Sequence, residues 1–243
     1  MKRFFTLLMI LIGVIKMEAQ EIVKINYEQR SFTKIEGGDP KMNKLMEDKF
    51  SEPVNYDLLL KDDFCLYSRI EKLNNQQSGH KMMIIGETKD IHILYNIKSN
   101  LTTIERTLDG KTYWIEDQLP KENWVITRES DQFLGFDVKK ATRETEDYLY
   151  EVWFTTKLNF KCGPDNINGL PGTVLKSKET YKNDSNIYQT IYATDVTIGK
   201  TNKFPNLKPK STISIKEYEK ISEENSKRIN EMYSTKEGVD KKD

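Results

Sequence analysis

Apolar and polar residues alternate along much of this chain. The clearest example is residues 91–97, where an isoleucine or a tyrosine occupies every second position. Residues 56–60, 148–154 and 187–198 show the same period. A period of two, with one apolar and one more polar face, is typical of antiparallel strands that are covered on one side. The pattern therefore predicts a mainly β fold.

Two polar stretches mark connections between these predicted strands. Asp109-Gly110 separates residues 102–107 from residues 112–115, and an Asp-Gly pair between strands favours a tight hairpin because both residues tolerate positive φ. The charged residues 143–147 are interpreted as a solvated connection without a functional role.

The C-terminal part of the chain changes to a helical pattern. Ser214 and Glu217 have the spacing of a capping box, in which each side chain bonds the backbone N–H of the other residue. Apolar residues at helical spacing follow, so we expect a helix over about residues 215–233. Residues 37–55 contain two glycines and two prolines, and we interpret them as a long connection with a single helical turn.

These elements predict the fold class and the domain organisation. We expect an α+β arrangement that is mainly β: one large, twisted antiparallel sheet, curled into a half-barrel like that of the lipoprotein carriers, with the C-terminal helix packed on it. A single domain would span residues 20–233, and residues 234–243 would form a flexible tail.

The first nineteen residues resemble a secretory signal peptide. Lys2 and Arg3 precede an apolar run over residues 4–15, which is shorter than the ~20 residues of a transmembrane helix. Ala19 supplies a small residue at the expected cleavage point. The alternative is an uncleaved anchor helix. We expect an exported protein of the periplasm or cell envelope, or a secreted one, with no transmembrane segment after cleavage.

Charge and chemistry exclude several classes of function. Lys+Arg and Asp+Glu each number 38, so no basic excess favours nucleic acid. The only histidines, His80 and His92, lie in no nucleophile or zinc motif, and no phosphate-binding glycine loop occurs. We assign no catalytic residue, no metal ligand and no cofactor.

Cys65 and Cys162 are the only cysteines. Two cysteines in an exported chain can form a disulfide in an oxidising compartment. The alternative is two separate buried thiols that act as small hydrophobic side chains.

A set of short motifs follows the strand over residues 148–154. Trp153-Phe154-Thr155, Gly163-Pro164 and Gly169-Leu170-Pro171-Gly172 occur in that order. This set resembles the GLPGLI family of exported proteins from Bacteroidota, although Thr173-Val174 stands where that family has Leu-Ile. The resemblance implies an envelope role and no defined activity.

The glycines and prolines also have a physical interpretation. Residues 170–173 have the sequence of a type II turn, with Pro171 at the second position and Gly172 at the third, which needs positive φ. Gly163, Pro164 and Gly169 would fix the other end of the loop. The loop either plugs one end of the sheet or forms the preformed lip of a binding site.

We expect a groove on the concave face of the sheet, with Tyr95, Tyr150 and Phe154 as candidate lining residues and Leu170 and Pro171 at its edge. The alternative is a face that side chains fill completely. A groove would make the protein a non-enzymatic module for an apolar ligand or an outer-membrane partner. An accessory subunit of an outer-membrane complex and a hydrolase with an unrecognised site are the alternative functions.

The first prediction concerns export. Cleavage is expected at or beside Ala19, because the apolar run has the length of a signal peptide. N-terminal sequencing of the exported protein measures it directly. Recovery of a chain that begins at Met1 in the membrane fraction would contradict cleavage.

Overall fold

The computed structural model describes residues 21–70, 88–165, 167–199, 203–207 and 209–237. The predicted signal peptide, His80 and the last six residues lie outside these ranges. The described strands are β1 Ile22–Phe32, β2 Val54–Lys61, β3 Phe64–Ile70, β4 Thr88–Asn96, β5 Leu101–Leu108, β6 Lys111–Gln118, β7 Val125–Phe133, β8 Phe136–Glu144, β9 Tyr148–Thr155, β10 Thr173–Tyr181 and β11 Tyr188–Gly199. The described helices are α1 Pro40–Phe50 and α2 Ile215–Glu237.

All eleven described strands belong to one antiparallel sheet, in the order β6-β5-β4-β3-β2-β1-β11-β10-β9-β8-β7. Strands β1–β6 and β7–β11 form two meanders in which each strand pairs with its neighbour in sequence. The pairing of β1 with β11 joins the two meanders. Strands β6 and β7 lie at opposite ends of this order, so the sheet is open. The predicted fold class, mainly β with a C-terminal helix, is confirmed.

Tight two-residue turns set the register of two hairpins. Asp109 and Gly110 have φ of 51° and 79°, which is the type I′ geometry predicted for the β5–β6 connection. Leu134 and Gly135 adopt the same geometry between β7 and β8, with φ of 50° and 79°. The second turn was not predicted, because leucine rarely adopts positive φ.

One face of the sheet carries the larger hydrophobic core, and we call it the inner face. Alternate residues of β1–β6 and β11 supply most of this core, including Ile25, Leu58, Tyr95 and Ile191, which are almost completely buried. The buried hydroxyl of Tyr27 on β1 donates a hydrogen bond over the intervening strand β11 to the carbonyl oxygen of Val174 on β10.

Helix α2 packs on the inner face beside the edge strand β6. Ser214 and Glu217 form the predicted capping box: the Glu217 carboxylate accepts from the Ser214 N–H at 2.7 Å, and the Glu217 N–H donates to the Ser214 hydroxyl oxygen at 3.3 Å. Tyr218 is buried and meets Tyr113 of β6 edge to face, with ring centroids 5.7 Å apart. The predicted helix is confirmed, and it continues to Glu237.

Two predicted connections differ from the structure. Residues 37–55 include a helix of eleven residues rather than a single turn, because the Asp39 side chain caps its N-terminus and Pro40 begins it. Arg143 lies in β8 rather than in a solvated loop, and only 15% of its side chain is exposed. The sequence pattern did not predict this inward position, because a charged residue normally faces solvent.

The connection between β9 and β10, described over residues 156–165 and 167–172, crosses the inner face, and we call it the strap. A disulfide bond joins Cys162 of the strap to Cys65 of β3, with the two Cα atoms 6.6 Å apart. Hydrogen bonds hold both sides of the strap: the Trp124 indole donates to the Asn168 carbonyl oxygen at 2.7 Å, and the Thr173 hydroxyl donates to the carbonyl oxygen of Phe160 at 2.9 Å.

The end of the strap differs from the predicted type II turn. Gly172 does not have positive φ, whereas Gly169 does, at 80°. Gly172 is required for another reason: a Cβ atom there would lie 2.3 Å from the carbonyl oxygen of Thr155. The strap approaches β9 so closely that only a glycine fits.

We expect Gly172→Ala to lower the free energy of unfolding by about 1–3 kcal/mol, because the added methyl group must displace backbone. Gly135→Asn is the matched control: Asn tolerates positive φ, and nothing lies within 4 Å of a Cβ at that position. Urea denaturation measures both variants. Equal stability of Gly172→Ala and the parent protein would contradict the close approach.

Loss of the disulfide should also destabilise the protein. The bond closes a loop with a sequence separation of 97, and the variant with both Cys65→Ser and Cys162→Ser should lose about 2–5 kcal/mol. A reductant should lower the stability of the parent protein and leave that of the double variant unchanged. Two free thiols in the unreduced, denatured parent protein would show that the bond is absent.

Candidate functional site

The inner face is apolar at one end of its strands and polar at the other. On four strands, β1, β3, β5 and β10, the inward-facing residues are apolar or small near the start of the strand. Further along the same strands, the inward-facing residue is polar or charged: Gln29, Arg69, Arg106 and Glu179. The strap covers the apolar end. The polar end contains two adjoining cavities, which we call the first and the second cavity.

The first cavity has a volume of about 300 Å³ and lies over β1–β5. The residues that line it are Gln29, Val54, Tyr56, Tyr67, Arg69, Asp90, Ile91, Ile93, Arg106 and Asp165. The rings of Tyr56 and Tyr67 are stacked, with centroids 4.6 Å apart and an angle of 7° between the planes. The cavity thus combines flat aromatic surface with charged groups.

Charges in the first cavity are largely fixed by one another. Both oxygens of Asp90 accept from the guanidinium of Arg106, one of them at 2.8 Å. Burial raises the pKa of Tyr56; nearby Arg69 opposes this shift, and Asp165 adds to it. Burial also raises the pKa of Tyr67 well above its ordinary value, again with Asp165 adding to the shift. Both phenols therefore stay protonated and can donate hydrogen bonds.

Tyr67 carries a polar atom that the fold leaves unsatisfied. The residue is only 3% exposed, and its hydroxyl finds no hydrogen-bond partner within the described ranges. A buried hydroxyl without a partner costs roughly 1–3 kcal/mol. Tyr67 lines the first cavity, so a ligand there would lie beside this residue.

The second cavity has a volume of about 210 Å³ and lies over β8–β11. The residues that line it are Arg143, Tyr150, Asp165, Ile167, Ser177, Glu179, Gln189 and Ile191. The Arg143 guanidinium stacks over the Tyr150 ring at 4.1 Å and over Trp124 at 5.1 Å, and it pairs with Glu122. Its Nε atom is buried and has no partner among the residues that the structure describes.

Glu179 and Tyr150 influence each other in the second cavity. Burial raises the pKa of Glu179, while a hydrogen bond from Tyr150 and the charge of Arg143 oppose that shift. Burial, with the carboxylate of Glu179 as the next cause, raises the pKa of Tyr150 to about 12. The pair presents a hydrogen-bonded phenol and carboxyl group to the cavity.

Asp165 lies at the junction of the two cavities and lines both. This strap residue has φ of 54°, a conformation that Asp tolerates better than most residues. On the sheet between the cavities, the Gln29 amide donates to the Gln189 side-chain oxygen at 2.8 Å. The two cavities thus adjoin at Asp165, and we call the pair the polar cleft.

The structure places the predicted site residues in different environments. Tyr150 lines the second cavity, whereas Tyr95 and Phe154 lie in the core. Gly163, Pro164, Leu170 and Gly172 are buried in the strap, while Gly169 and Pro171 are exposed, and none of these six lines either cavity. The strap borders the cleft with Asp165 and Ile167 instead.

Sequence reasoning missed the charged residues of the cleft. Four of them, Arg69, Arg106, Arg143 and Glu179, sit two positions beyond a buried residue of their strand. Extending the period of two past that buried residue would have found these four. Asp90, near the start of β4, and Asp165, on the strap, do not follow this pattern. His92, by contrast, contacts the Ser68 hydroxyl at 2.8 Å and lines neither cavity.

The described residues contain no group of three or more His, Cys, Asp or Glu side chains that could hold a metal ion. Among the same residues, neither helix has an apolar stretch suited to crossing a membrane.

Comparison with solved structures identifies proteins of similar fold. PNGF-II in the C2 space group aligns with a TM-score of 0.57 and 21% identity over 84% of this chain. PNGF-II in the P21 space group aligns with a TM-score of 0.56 and 20% identity, also over 84% of this chain. The chain spans about one third of the length of PNGF-II, 33% and 34% in the two comparisons.

A LolA superfamily protein from Nitrosomonas europaea aligns with a TM-score of 0.32 and 10% identity, over 76% of this chain and 88% of its own. That score is too low to support the analogy with lipoprotein carriers. No curated protein matches the chain.

A family model described as "N-glycanase peptide, N-terminal domain" matches residues 88–224, which is more than half of the chain. The motifs that carried the resemblance to GLPGLI proteins, from Trp153 to Gly172, lie inside this match. The GLPGLI assignment is therefore wrong, and the expectation of a Bacteroidota source, which came only from it, loses its support. The chain belongs to the family of N-glycanase N-terminal domains.

Proposed function

We propose that this domain is a non-catalytic module that binds an N-linked glycan in the polar cleft of the inner face. The observation that carries the proposal is the first cavity, where stacked tyrosines lie beside charged groups and the Tyr67 hydroxyl finds no partner among the described residues. Membership of the family supports a glycan as the ligand, because the name of the family refers to an N-glycanase.

The lining of the cleft favours a sugar over the apolar ligand expected from the sequence. A sugar ring has C–H faces that pack on flat aromatic rings, and hydroxyl groups at its rim that both donate and accept hydrogen bonds. Tyr56 and Tyr67 offer such rings, and Gln29, Arg69 and Asp165 offer the polar partners. A site built to bond hydroxyl groups strongly rejects ligands that lack them, because its buried polar groups would then be unpaired.

Export is a second part of the proposal. The N-terminal segment has the pattern of a signal peptide, and a disulfide bond joins Cys65 and Cys162. Disulfides persist in oxidising compartments such as the periplasm and the extracellular space. N-linked glycans on secreted or cell-surface proteins would be accessible to a domain located there.

We expect Tyr67→Phe to weaken binding of a neutral high-mannose N-glycan by about 2–10-fold, the effect of one hydrogen bond worth roughly 0.5–1.5 kcal/mol. The thermal stability of the variant should equal or exceed that of the parent protein, because the removed hydroxyl has no partner in the described structure. Isothermal titration calorimetry with the purified glycan and a thermal melt measure the two effects.

Tyr95→Phe is the matched control. Its hydroxyl is also buried and lacks a partner among the described residues, but Tyr95 lines neither cavity. This variant should bind the glycan as the parent protein does. Equal weakening by both variants would indicate a general effect on the fold, and failure of the parent protein to bind the glycan would refute the proposal.

A further inference from the structure

The two cavities of the cleft meet at a residue of the strap. Asp165 of the strap lines both cavities, and the Gln29–Gln189 amide pair lies on the sheet between them. Residues on each side are different: β1–β5 line the first cavity, and β8–β11 line the second. The sheet itself is continuous between the two cavities, because β1 pairs with β11.

Each cavity has the size of one small polar unit. The two volumes are about 300 and 210 Å³. These volumes lie at or below the lower end of the ~300–1,000 Å³ range of drug-sized sites. A single sugar ring with its substituents fits this scale, whereas a larger ligand would have to extend through both cavities.

One lining residue of each cavity carries a buried polar atom that lacks a partner among the described residues. For the first cavity it is the Tyr67 hydroxyl, which can donate and accept, and for the second it is Nε of Arg143, which only donates. A ligand in either cavity would therefore lie beside a residue with an unused hydrogen-bonding group.

The charges that line the cleft balance. Three guanidinium groups, those of Arg69, Arg106 and Arg143, accompany three carboxyl groups, those of Asp90, Asp165 and Glu179. A neutral ligand with many hydroxyl groups can bond both kinds of group without leaving either charge uncompensated. An anionic ligand would meet carboxyl groups in each cavity.

We propose that the two cavities are subsites for adjacent rings of one neutral glycan, with Asp165 as the specificity-determining residue that contacts both rings. This inference rests on the proposed function. It specifies in addition that two sugar rings are bound, that both are neutral and that both contact Asp165. It also assigns the strap a role in the site, since the strap carries Asp165 and is fixed to β3 by the disulfide.

The experiment measures dissociation constants for N,N′-diacetylchitobiose, a neutral disaccharide, and for N-acetylglucosamine. The variants are Tyr67→Phe for the first cavity, Arg143→Lys for the second and Asp165→Asn for the junction. Each should weaken disaccharide binding by about 2–10-fold, and the effects of Tyr67→Phe and Arg143→Lys should multiply in the double variant. Monosaccharide binding should respond to at most one of these two variants.

Glu179→Gln is a second test of the second cavity and keeps the size of the side chain, in case Arg143→Lys fails to fold. A sulfated heparin disaccharide serves as an anionic probe of the same length, and it should bind more weakly than the neutral disaccharide. Raising the salt concentration should leave binding of the neutral probe unchanged, because no net charge is compensated.

The outcomes separate the two proposals. If the parent protein binds the neutral disaccharide but both Arg143→Lys and Glu179→Gln leave its dissociation constant unchanged, the second subsite is refuted and glycan binding stands. Tighter binding of the heparin disaccharide would refute the preference for neutral rings. If the parent protein binds neither the disaccharide nor a complete N-glycan, both proposals fail.

Discussion

Attachment of the strap to the sheet is the constraint on which the rest of this structure depends. An open sheet of eleven strands exposes a wide apolar face, and the described structure supplies no second sheet to cover it. The disulfide between Cys65 and Cys162 and the hydrogen bond from Trp124 hold the strap against the apolar half of that face. Ile167 and Leu170 of the strap join a second core cluster with residues of β8, β9 and β10. The strap therefore completes the core at one end of the strands and borders the cleft at the other.

The polar half of the inner face shows how binding and stability oppose each other. Buried polar groups in proteins nearly always have hydrogen-bond partners, and each exception requires an explanation. Five such atoms occur among the described residues. The hydroxyls of Tyr95, Thr102 and Tyr218 lie elsewhere, whereas the Tyr67 hydroxyl and Nε of Arg143 belong to residues that line the cleft. A fold selected only for stability would place apolar side chains or bonded pairs at these positions. Their location explains why we interpret the cleft as a binding site that a polar ligand completes.

The family assignment illustrates how little a short turn motif specifies. Glycine and proline recur wherever a chain must turn sharply or approach another segment closely, so Gly163-Pro164 and residues 169–172 are compatible with several families. Gly172 is required here because the backbone of Thr155 leaves no room for a Cβ atom, and this requirement depends on a contact between β9 and the strap. The match over residues 88–224 extends over 137 residues, and it assigns the family where the motif did not.

The sequence by itself determined the local elements of this protein. The period of two along residues 91–97 and 148–154, the Asp109-Gly110 turn and the Ser214–Glu217 capping box each depend on near neighbours in the chain, and each is present in the structure. Only the tertiary structure decided what lies in the cleft. Arg143, Glu179 and Asp165 are far apart in sequence or look like solvated charges, and they converge because strand pairing aligns the ends of β8 and β10 beneath a strap fixed to β3. Side-chain alternation gives the face on which a residue lies, but long-range pairing and the crossing of the strap determine which residues meet there.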